Sequence, residues 1–263
     1  MKKLSLLLSF ALLSFGLYSQ ANAAIRISAT HLSDEERKVS GFTGIAVGGS
    51  LKVLVKLGNT ESLRLEGDQE AIDQLITEVK DGTLSIRPKK AEWKEWFKKY
   101  GNTKVTAYIT AKKLTSLAMS GSGSIEVEQP ITANSFDMAL SGSGSIKATV
   151  NAQKVDASLS GSGSIKATVN AQNFDAATSG SGGMTIIGKA KKADIAVSGS
   201  GGFSGRAFTA EEVDAHVSGS GSVYIDVQKR LDAATSGSGS VNYTGNPTVS
   251  KAASGSGKVR KAN

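Results

Sequence analysis

The sequence contains no cysteine, three prolines and two histidines, and aromatic residues make up 6% of it. The absence of cysteine excludes disulfides, thiolate zinc sites and cysteine nucleophiles. The two histidines, His31 and His216, are too far apart in the chain to supply the cluster that a zinc site needs. The net charge of +8 comes without any nucleic-acid-binding motif, so we expect no nucleic-acid partner. We also expect no cofactor.

The one long apolar run lies at the N-terminus. Lys2 and Lys3 precede an apolar stretch over residues 4–17, and Ala21 and Ala23 place small residues where a signal peptidase cleaves. The stretch is too short to be a stable transmembrane helix. We therefore predict a cleaved signal peptide over residues 1–23 and an exported chain with no transmembrane segment and a net charge of about +6.

A Ser-Gly-Ser-Gly marker recurs along the second half of the chain. Its copies begin at Ser120, Ser141, Ser160, Ser179, Ser198, Ser218, Ser236 and Ser254. The intervals are 21, 19, 19, 19, 20, 18 and 18 residues. Self-similarity at a fixed period of this size indicates a solenoid.

Apolar and polar residues alternate on both sides of each marker, as in a half-buried strand. Five residues after each marker's first serine the side chain is apolar, and so is most often the residue just before the marker. The first of these sets is Ile125, Ile146, Ile165, Met184, Phe203, Val223, Val241 and Val259. Such columns predict an all-β fold, a parallel β-helix of about 19-residue rungs with the default right-handed winding. The glycines would turn one corner through positive φ angles.

The region before the first marker has a different pattern. Strands are predicted at residues 45–47, 51–57, 63–65, 84–86 and 104–110. A short amphipathic helix is predicted over residues 69–80, ending at the turn signal Asp81-Gly82. The predicted organisation is a signal peptide (1–23), a polar segment (24–38), a β-rich capping region (39–115) and the solenoid (116–263).

The order of these elements resembles a known family. The segments GFTGIAVGGSLKVLVKLGN, EVKDGTLSIRPKK and KVTAYITAKKLTSLAMSGSGSIEV are similar to the autotransporter adhesin family with a head GIN domain. The resemblance runs from about Val39 to the end of the chain. It implies an exported, β-helical, non-enzymatic module of a Gram-negative cell envelope, in the periplasm or on the cell surface. Because few residues follow Ser254, we expect no outer-membrane barrel from this chain and no self-export.

A column of aspartates forms the first candidate site. One aspartate lies four residues before each of six markers: Asp137, Asp156, Asp175, Asp194, Asp214 and Asp232. Stacked rungs would place these like charges in an outward ladder, where they repel. Solvent together with lysines such as Lys154 and Lys192 would relieve the repulsion, and a weak Ca²⁺ site is the alternative.

The insertion at residues 89–104 is the second candidate. Its aromatic residues follow a helical i, i+3, i+4, i+7 spacing: Trp93, Trp96, Phe97 and Tyr100. They predict either an aromatic stripe packed on the neighbouring sheet, which we favour, or a contact surface for a glycan, lipid headgroup or protein.

The residues favour a structural or binding module over an enzyme. Asp214, His216 and Ser218 have the composition of a catalytic triad, but same-face neighbours on a strand stand about 6.5–7 Å apart, too far for a triad. The expected partner is a glycan or another envelope surface component. Two alternatives stay open: a β-helical polysaccharide lyase, and a homo-oligomeric filament subunit whose ends stack.

Overall fold

The computed structural model describes residues 32–89 and 105–262. In this part of the chain, one five-residue helix accompanies eighteen strands. The elements before the first marker are β1 (Leu32–Arg37), β2 (Gly44–Gly49), β3 (Lys52–Leu57), β4 (Ser62–Asp68), α1 (Gln69–Asp73), β5 (Leu75–Lys80), β6 (Thr83–Pro88), β7 (Val105–Ala111) and β8 (Ser116–Gly121). The others are β9 (Ser124–Val127), β10 (Ile131–Gly142), β11 (Ser145–Gly161), β12 (Ser164–Gly180), β13 (Gly183–Gly199), β14 (Gly202–Gly219), β15 (Ser222–Gly237), β16 (Ser240–Thr244), β17 (Thr248–Gly255) and β18 (Lys258–Lys261).

The repeat forms the predicted β-solenoid. Successive long strands pair in parallel and in register, so that Ile146 pairs with Ile165 and Ile165 with Met184. The apolar column expected from the sequence continues through Phe203 to Val223. These side chains are at most 1% exposed, because each rung lies on the one before and encloses one narrow core. The handedness of the winding stays a prediction.

The marker glycines turn the corner for the predicted reason. The first glycine of every marker has a positive φ, as at Gly161, where φ is 112°. A Cβ on Gly161 would lie 2.6 Å from the carbonyl oxygen of Gly142 in the rung below. Only glycine therefore combines this backbone conformation with such close stacking.

The opposite corner lies inside each long strand. In β11 the inward positions are 146, 148 and 150 before the bend and 155, 157 and 159 after it. This change of phase marks a turn of the chain near residues 151–154. Each rung thus has a post-corner arm, which follows the Ser-Gly corner, and a pre-corner arm, which leads to the next one.

The N-terminal strands belong to the same stack, but in a different order. Strand β2 lies between β6 and β8, and β3 lies between β7 and β9, in parallel pairing throughout. The rung that comes first in the chain is therefore second in space. Its corner, Gly49, stacks on Gly121 with a φ of 100°, and two backbone N–H groups donate to its carbonyl oxygen as at the later corners. The predicted boundary at residues 115/116 stays a prediction of domain organisation.

Antiparallel strands cover the first rung in space. Strand β5 pairs with β6, β4 pairs with β7, and β1 pairs with β4. Strand β1 was not predicted from the sequence, because its segment, LSDEER, lacks apolar alternation. Four of its six residues are charged, and it pairs through backbone groups. The edge that it presents is therefore a charged one.

The prediction of a helix over residues 69–80 is wrong after Asp73. Asp68 caps α1 by accepting a hydrogen bond from the Ala71 backbone N–H at 3.1 Å, and the helix ends at Asp73. The chain then forms β5, which returns along β6 through Asp81 and Gly82, with φ angles of 49° and 72°. Positive φ at both central residues is the hairpin turn that Asp-Gly favours, and it overrides the helical spacing of the apolar residues.

Arg37 stabilises the N-terminal cap, the part of the structure formed by β1–β7 and α1. Its guanidinium donates to the carbonyl oxygens of Ile72 and Leu75, at 2.9 and 2.8 Å, and to the Thr77 hydroxyl at 3.1 Å. It also contacts Glu35 at 2.8 Å. The side chain is 17% exposed, so these bonds form largely out of water and hold α1 and β5 to the edge strand β1.

Candidate binding surfaces

The six aspartates form the predicted ladder. The parallel register pairs Asp137 with Asp156, and continues rung by rung through Asp175, Asp194 and Asp214 to Asp232. The ladder lies on the outward side of the pre-corner arms. Stacking at about 4.8 Å brings each carboxylate close to the next one.

Cations relieve part of the repulsion within the ladder. Lys154 reaches both Asp156 and Asp175, at 3.0 and 3.1 Å, and so bridges two rungs. Its hydrogen bonds to these carboxylates, that to Asp156 first, raise the pKa of Lys154. Lys192, by contrast, lies 3.8 Å from Glu212 instead of an aspartate. At the far end of the ladder, Arg230 pairs with Asp232.

Two rungs of the ladder keep an unfavourable charge. Partial burial, followed by the charge of Asp156, raises the pKa of Asp137. Burial and then the charge of Asp175 raise the pKa of Asp194. Among the described residues, no three acidic, histidine or cysteine side chains converge to hold a metal ion. The ladder's role as a cation site stays a prediction.

A groove of small side chains runs beside the ladder. Two columns of side chains line it. The first is rich in alanine and lies two residues before each marker, and the second consists of the first serine of each marker. One stretch, of about 710 Å³, runs from Ala46 to Ser198, and another, of about 440 Å³, continues from Ala196 to Ser254. The groove was not predicted from the sequence, although the small residues that alternate with apolar ones before each marker indicate it. Arg87, which pairs with Glu78 at 2.8 Å, stands at its N-terminal end.

The triad-like composition of β14 does not form a triad. Asp214, His216 and Ser218 occupy alternate outward positions of one strand, in a line along the sheet. His216 and Ser218 are exposed to solvent. A line of three side chains offers no oxyanion site, which acyl transfer needs.

The predicted aromatic site lies outside the described residues. Trp93, Trp96, Phe97 and Tyr100 all fall between residues 90 and 104. The chain enters this segment after β6 and leaves it at β7, where the other rungs have their Ser-Gly corner. Both interpretations of the segment, packed stripe and contact surface, stay predictions.

The fold and these surfaces define a β-solenoid whose outward columns repeat from rung to rung along an open groove. The chain matches the family model described as putative auto-transporter adhesin, head GIN domain, over residues 41–184 and 157–247. It therefore belongs to that family, as the sequence segments indicated. No curated protein matches the chain.

Solved structures share the fold over nearly their whole length. A putative lipid binding protein from Parabacteroides distasonis is similar with a TM-score of 0.81 and 28% identity, over 88% of this chain and 97% of that one. A putative adhesin from Parabacteroides merdae gives a TM-score of 0.80 at 19% identity, over 88% and 96% of the two chains. A putative adhesin from Parabacteroides distasonis gives 0.79 at 21%, over 89% and 98%. At their identities the two adhesins bear on the fold alone.

No helix within residues 32–89 and 105–262 could cross a bilayer, since α1 has five residues.

Proposed function

We propose that the protein is an exported, non-enzymatic, adhesin-like module of the bacterial envelope that binds elongated surface components. The observation that carries the proposal is the groove beside the ladder, which continues over the rungs from Ala46 to Ser254. A surface that repeats at every rung suits a long ligand better than a reaction, because catalysis needs unlike groups that converge on one point. Membership of an adhesin family supports the same function.

The test is retention on envelope material. The chain without residues 1–23, labelled, is sedimented with outer-membrane vesicles from a Gram-negative bacterium. In one variant, Ala139→Lys and Ala177→Lys fill the groove, since both alanines line it and are exposed. In the control variant, Thr149→Lys and Thr168→Lys add the same charge to the post-corner arms, away from the groove. We expect retention to be lost only in the groove variant. Equal retention of both variants, or none by the unchanged chain, would reject the proposal.

Lipid binding is a second candidate function for the same groove. Its outward side chains are mostly alanine and serine, and the alanine methyl groups make the surface partly apolar. Met119 and Leu140 border the groove but are only 2% exposed and belong to the core. An acyl chain would lie along such a surface with little loss of hydrogen bonds. The similar structure from Parabacteroides distasonis is described as a putative lipid binding protein, at 28% identity. A fluorescent fatty acid that gains no emission with the protein would reject this candidate.

A further inference from the structure

A separate cavity lies on the outward face of the N-terminal cap. Its volume is about 800 Å³, within the range of ligand pockets in proteins. It is formed where β4 and β1 extend the post-corner sheet beyond β7 and β3. The groove proposed above lies on the pre-corner arms, so the two surfaces share no lining residue.

The register of β4, β7 and β3 places two rows of side chains across this cavity. In one row Arg64 pairs with Tyr108, and Tyr108 pairs with Leu54. The Arg64 guanidinium lies 4.2 Å from the centre of the Tyr108 ring. This row gives the cavity an aromatic and aliphatic floor. Such a floor suits the apolar face of a sugar ring, whose C–H groups pack on aromatic side chains.

The second row lies two residues away on the same face. In it Ser62 pairs with Thr110, and Thr110 pairs with Lys56. The row therefore presents two hydroxyl groups and an ammonium group beside the floor. Hydroxyl groups both donate and accept hydrogen bonds, which is what the hydroxyl groups of a saccharide require.

The charges at the cavity favour an anion. Lys56 is 58% exposed and reaches Glu128 only at 3.6 Å. Lys38, at the rim, has no carboxylate within 4 Å among the described residues. Of the two lining carboxylates, Glu61 accepts a hydrogen bond from the backbone N–H of Gly41 at 2.8 Å, and Glu36 is exposed. The four lining cations, Arg37, Lys38, Lys56 and Arg64, outnumber them. Arg37 also borders the cavity, but its guanidinium turns away to the carbonyl oxygens of Ile72 and Leu75.

We infer that this cavity binds an acidic saccharide unit, such as a uronate residue of a polysaccharide. The ring packs on Tyr108 and Leu54, hydroxyl groups bond to Ser62 and Thr110, and the carboxylate lies near the ammonium groups of Lys38 and Lys56. This inference rests on the proposed surface-binding function and names a ligand class and a site for it. It assigns recognition of a particular sugar to the cap and leaves the groove as an extended contact.

Calorimetric titration tests the inference. The probes are tetragalacturonate and the neutral tetrasaccharide maltotetraose, and the protein is the chain without residues 1–23. The double variant Lys38→Gln, Lys56→Gln removes the two rim ammonium groups. The control Lys166→Gln, Lys189→Gln removes the same charge from exposed positions in β12 and β13, away from the cavity. We expect tetragalacturonate to bind, maltotetraose to bind at least tenfold more weakly, and only the rim variant to lose about tenfold in affinity.

Several results would overturn the inference. Equal affinity for both tetrasaccharides would mean that charge plays no part in recognition. Equal losses of affinity in the rim and control variants would mean that the attraction is nonspecific. Binding to phosphatidylglycerol vesicles without binding to tetragalacturonate would assign the cations to a lipid surface instead. Failure of the proposed function is distinguishable, because the groove variant leaves Lys38 and Lys56 in place and its test compares two variants that share the same cap cavity. A chain that is retained on envelope material but ignores tetragalacturonate refutes only the cap site.

Discussion

The rungs with Ser-Gly corners and the N-terminal cap share one core but differ on their outward faces. Both contribute to the same buried column, since Val53 of the cap pairs with Ile125 of the first marked rung. On the outside, the rungs repeat aspartate, small residue and serine, whereas the cap presents unlike side chains such as Arg64 and Tyr108. The repeated rungs therefore provide length and the cap provides chemical variety. A cavity with a mixed lining is found on the cap, as this difference predicts.

The strands also differ in direction between the two regions. All pairings between the marked rungs are parallel, whereas β1, β4 and β5 join the cap in antiparallel pairing. Antiparallel strands can close a stack because short hairpins bring the chain back to the same edge. One of the edges that remain, β1, carries Asp34, Glu35 and Glu36, and charged edges resist further pairing.

The largest expected effect tests whether the two regions have one core. Ile165→Asp and Val53→Asp each put a carboxylate into the same column, at positions that are 0% exposed. We expect each to lower the free energy of unfolding by more than about 4 kcal/mol. Lys166→Asp, on the outward neighbour, should change it by about 0.5 kcal/mol or less. Urea denaturation measures all three, and a mild effect of Val53→Asp alone would separate the cap from the solenoid core.

The corner glycines come next in size. Gly161→Ala combines a φ of 112° with a Cβ placed 2.6 Å from the Gly142 carbonyl oxygen, so we expect a loss of about 3 kcal/mol in unfolding free energy. Gly41 in the cap also has a positive φ, 76°, but a Cβ there has no atom within 4 Å. Gly41→Ala should therefore cost about 1 kcal/mol. If thermal denaturation shows equal losses, close stacking of the rungs is not what restricts the corner to glycine.

Periodicity explains what could be predicted from the sequence. The rungs repeat, so the columns through Ile165, the glycine corners and the aspartate ladder could all be placed from spacing alone. The cap has no repeat, and its order in space, with β2 between β6 and β8, depends on pairing between distant segments. Gly48-Gly49-Ser50 was a weak copy of the marker, and its stacking on Gly121 appears only once the register is known.

The cap cavity could not be predicted for a related reason. Its residues come from four separate stretches of chain, around Lys38, Lys56, Ser62 and Tyr108, and none of them forms a motif. β1 could not be predicted either, because its pairing uses backbone groups, and LSDEER has the composition of a loop. The Asp-Gly turn was visible, but four apolar residues at helical spacing before it favoured the wrong element over residues 75–80.

Arg37 should matter more than the equally charged Arg64. Arg37→Ala removes the guanidinium donor from the carbonyl oxygens of Leu75 and Ile72 in a partly buried place, although Ile72 keeps the Gln74 backbone N–H. We therefore expect a loss of about 2 kcal/mol in unfolding free energy. Arg64 pairs with Asp34 and Glu66 at the surface, and Arg64→Ala should cost about 1 kcal/mol or less. Urea denaturation compares the two. A larger loss for Arg64→Ala would mean that surface pairs, not the capped carbonyls, hold the cap.

The smallest expected effect concerns the aspartate ladder of the rungs. Burial and the neighbouring Asp175 raise the pKa of Asp194, so the folded state holds its proton to a higher pH than the unfolded state does. The contribution of Asp194 to stability therefore falls as the pH rises above the ordinary aspartate pKa of about 3.9 and through the raised folded-state value. Asp194→Asn removes this loss, and we expect it to raise the unfolding free energy at pH 7 by a few tenths of a kcal/mol.

The matched variant is Asp232→Asn, which removes a carboxylate that pairs with Arg230. It should leave stability unchanged or slightly lower, since an exposed pair contributes about 0–1 kcal/mol. Thermal melts from pH 3 to pH 7 separate the two variants. Only Asp194→Asn should remove a stability contribution that declines as the pH rises. Destabilisation by Asp194→Asn at pH 7 would mean that the carboxylate has a favourable partner after all. Melts with millimolar Ca²⁺ and with chelator then identify it, because a bound cation raises the melting temperature and Asn at positions 156, 175 and 194 would abolish the rise.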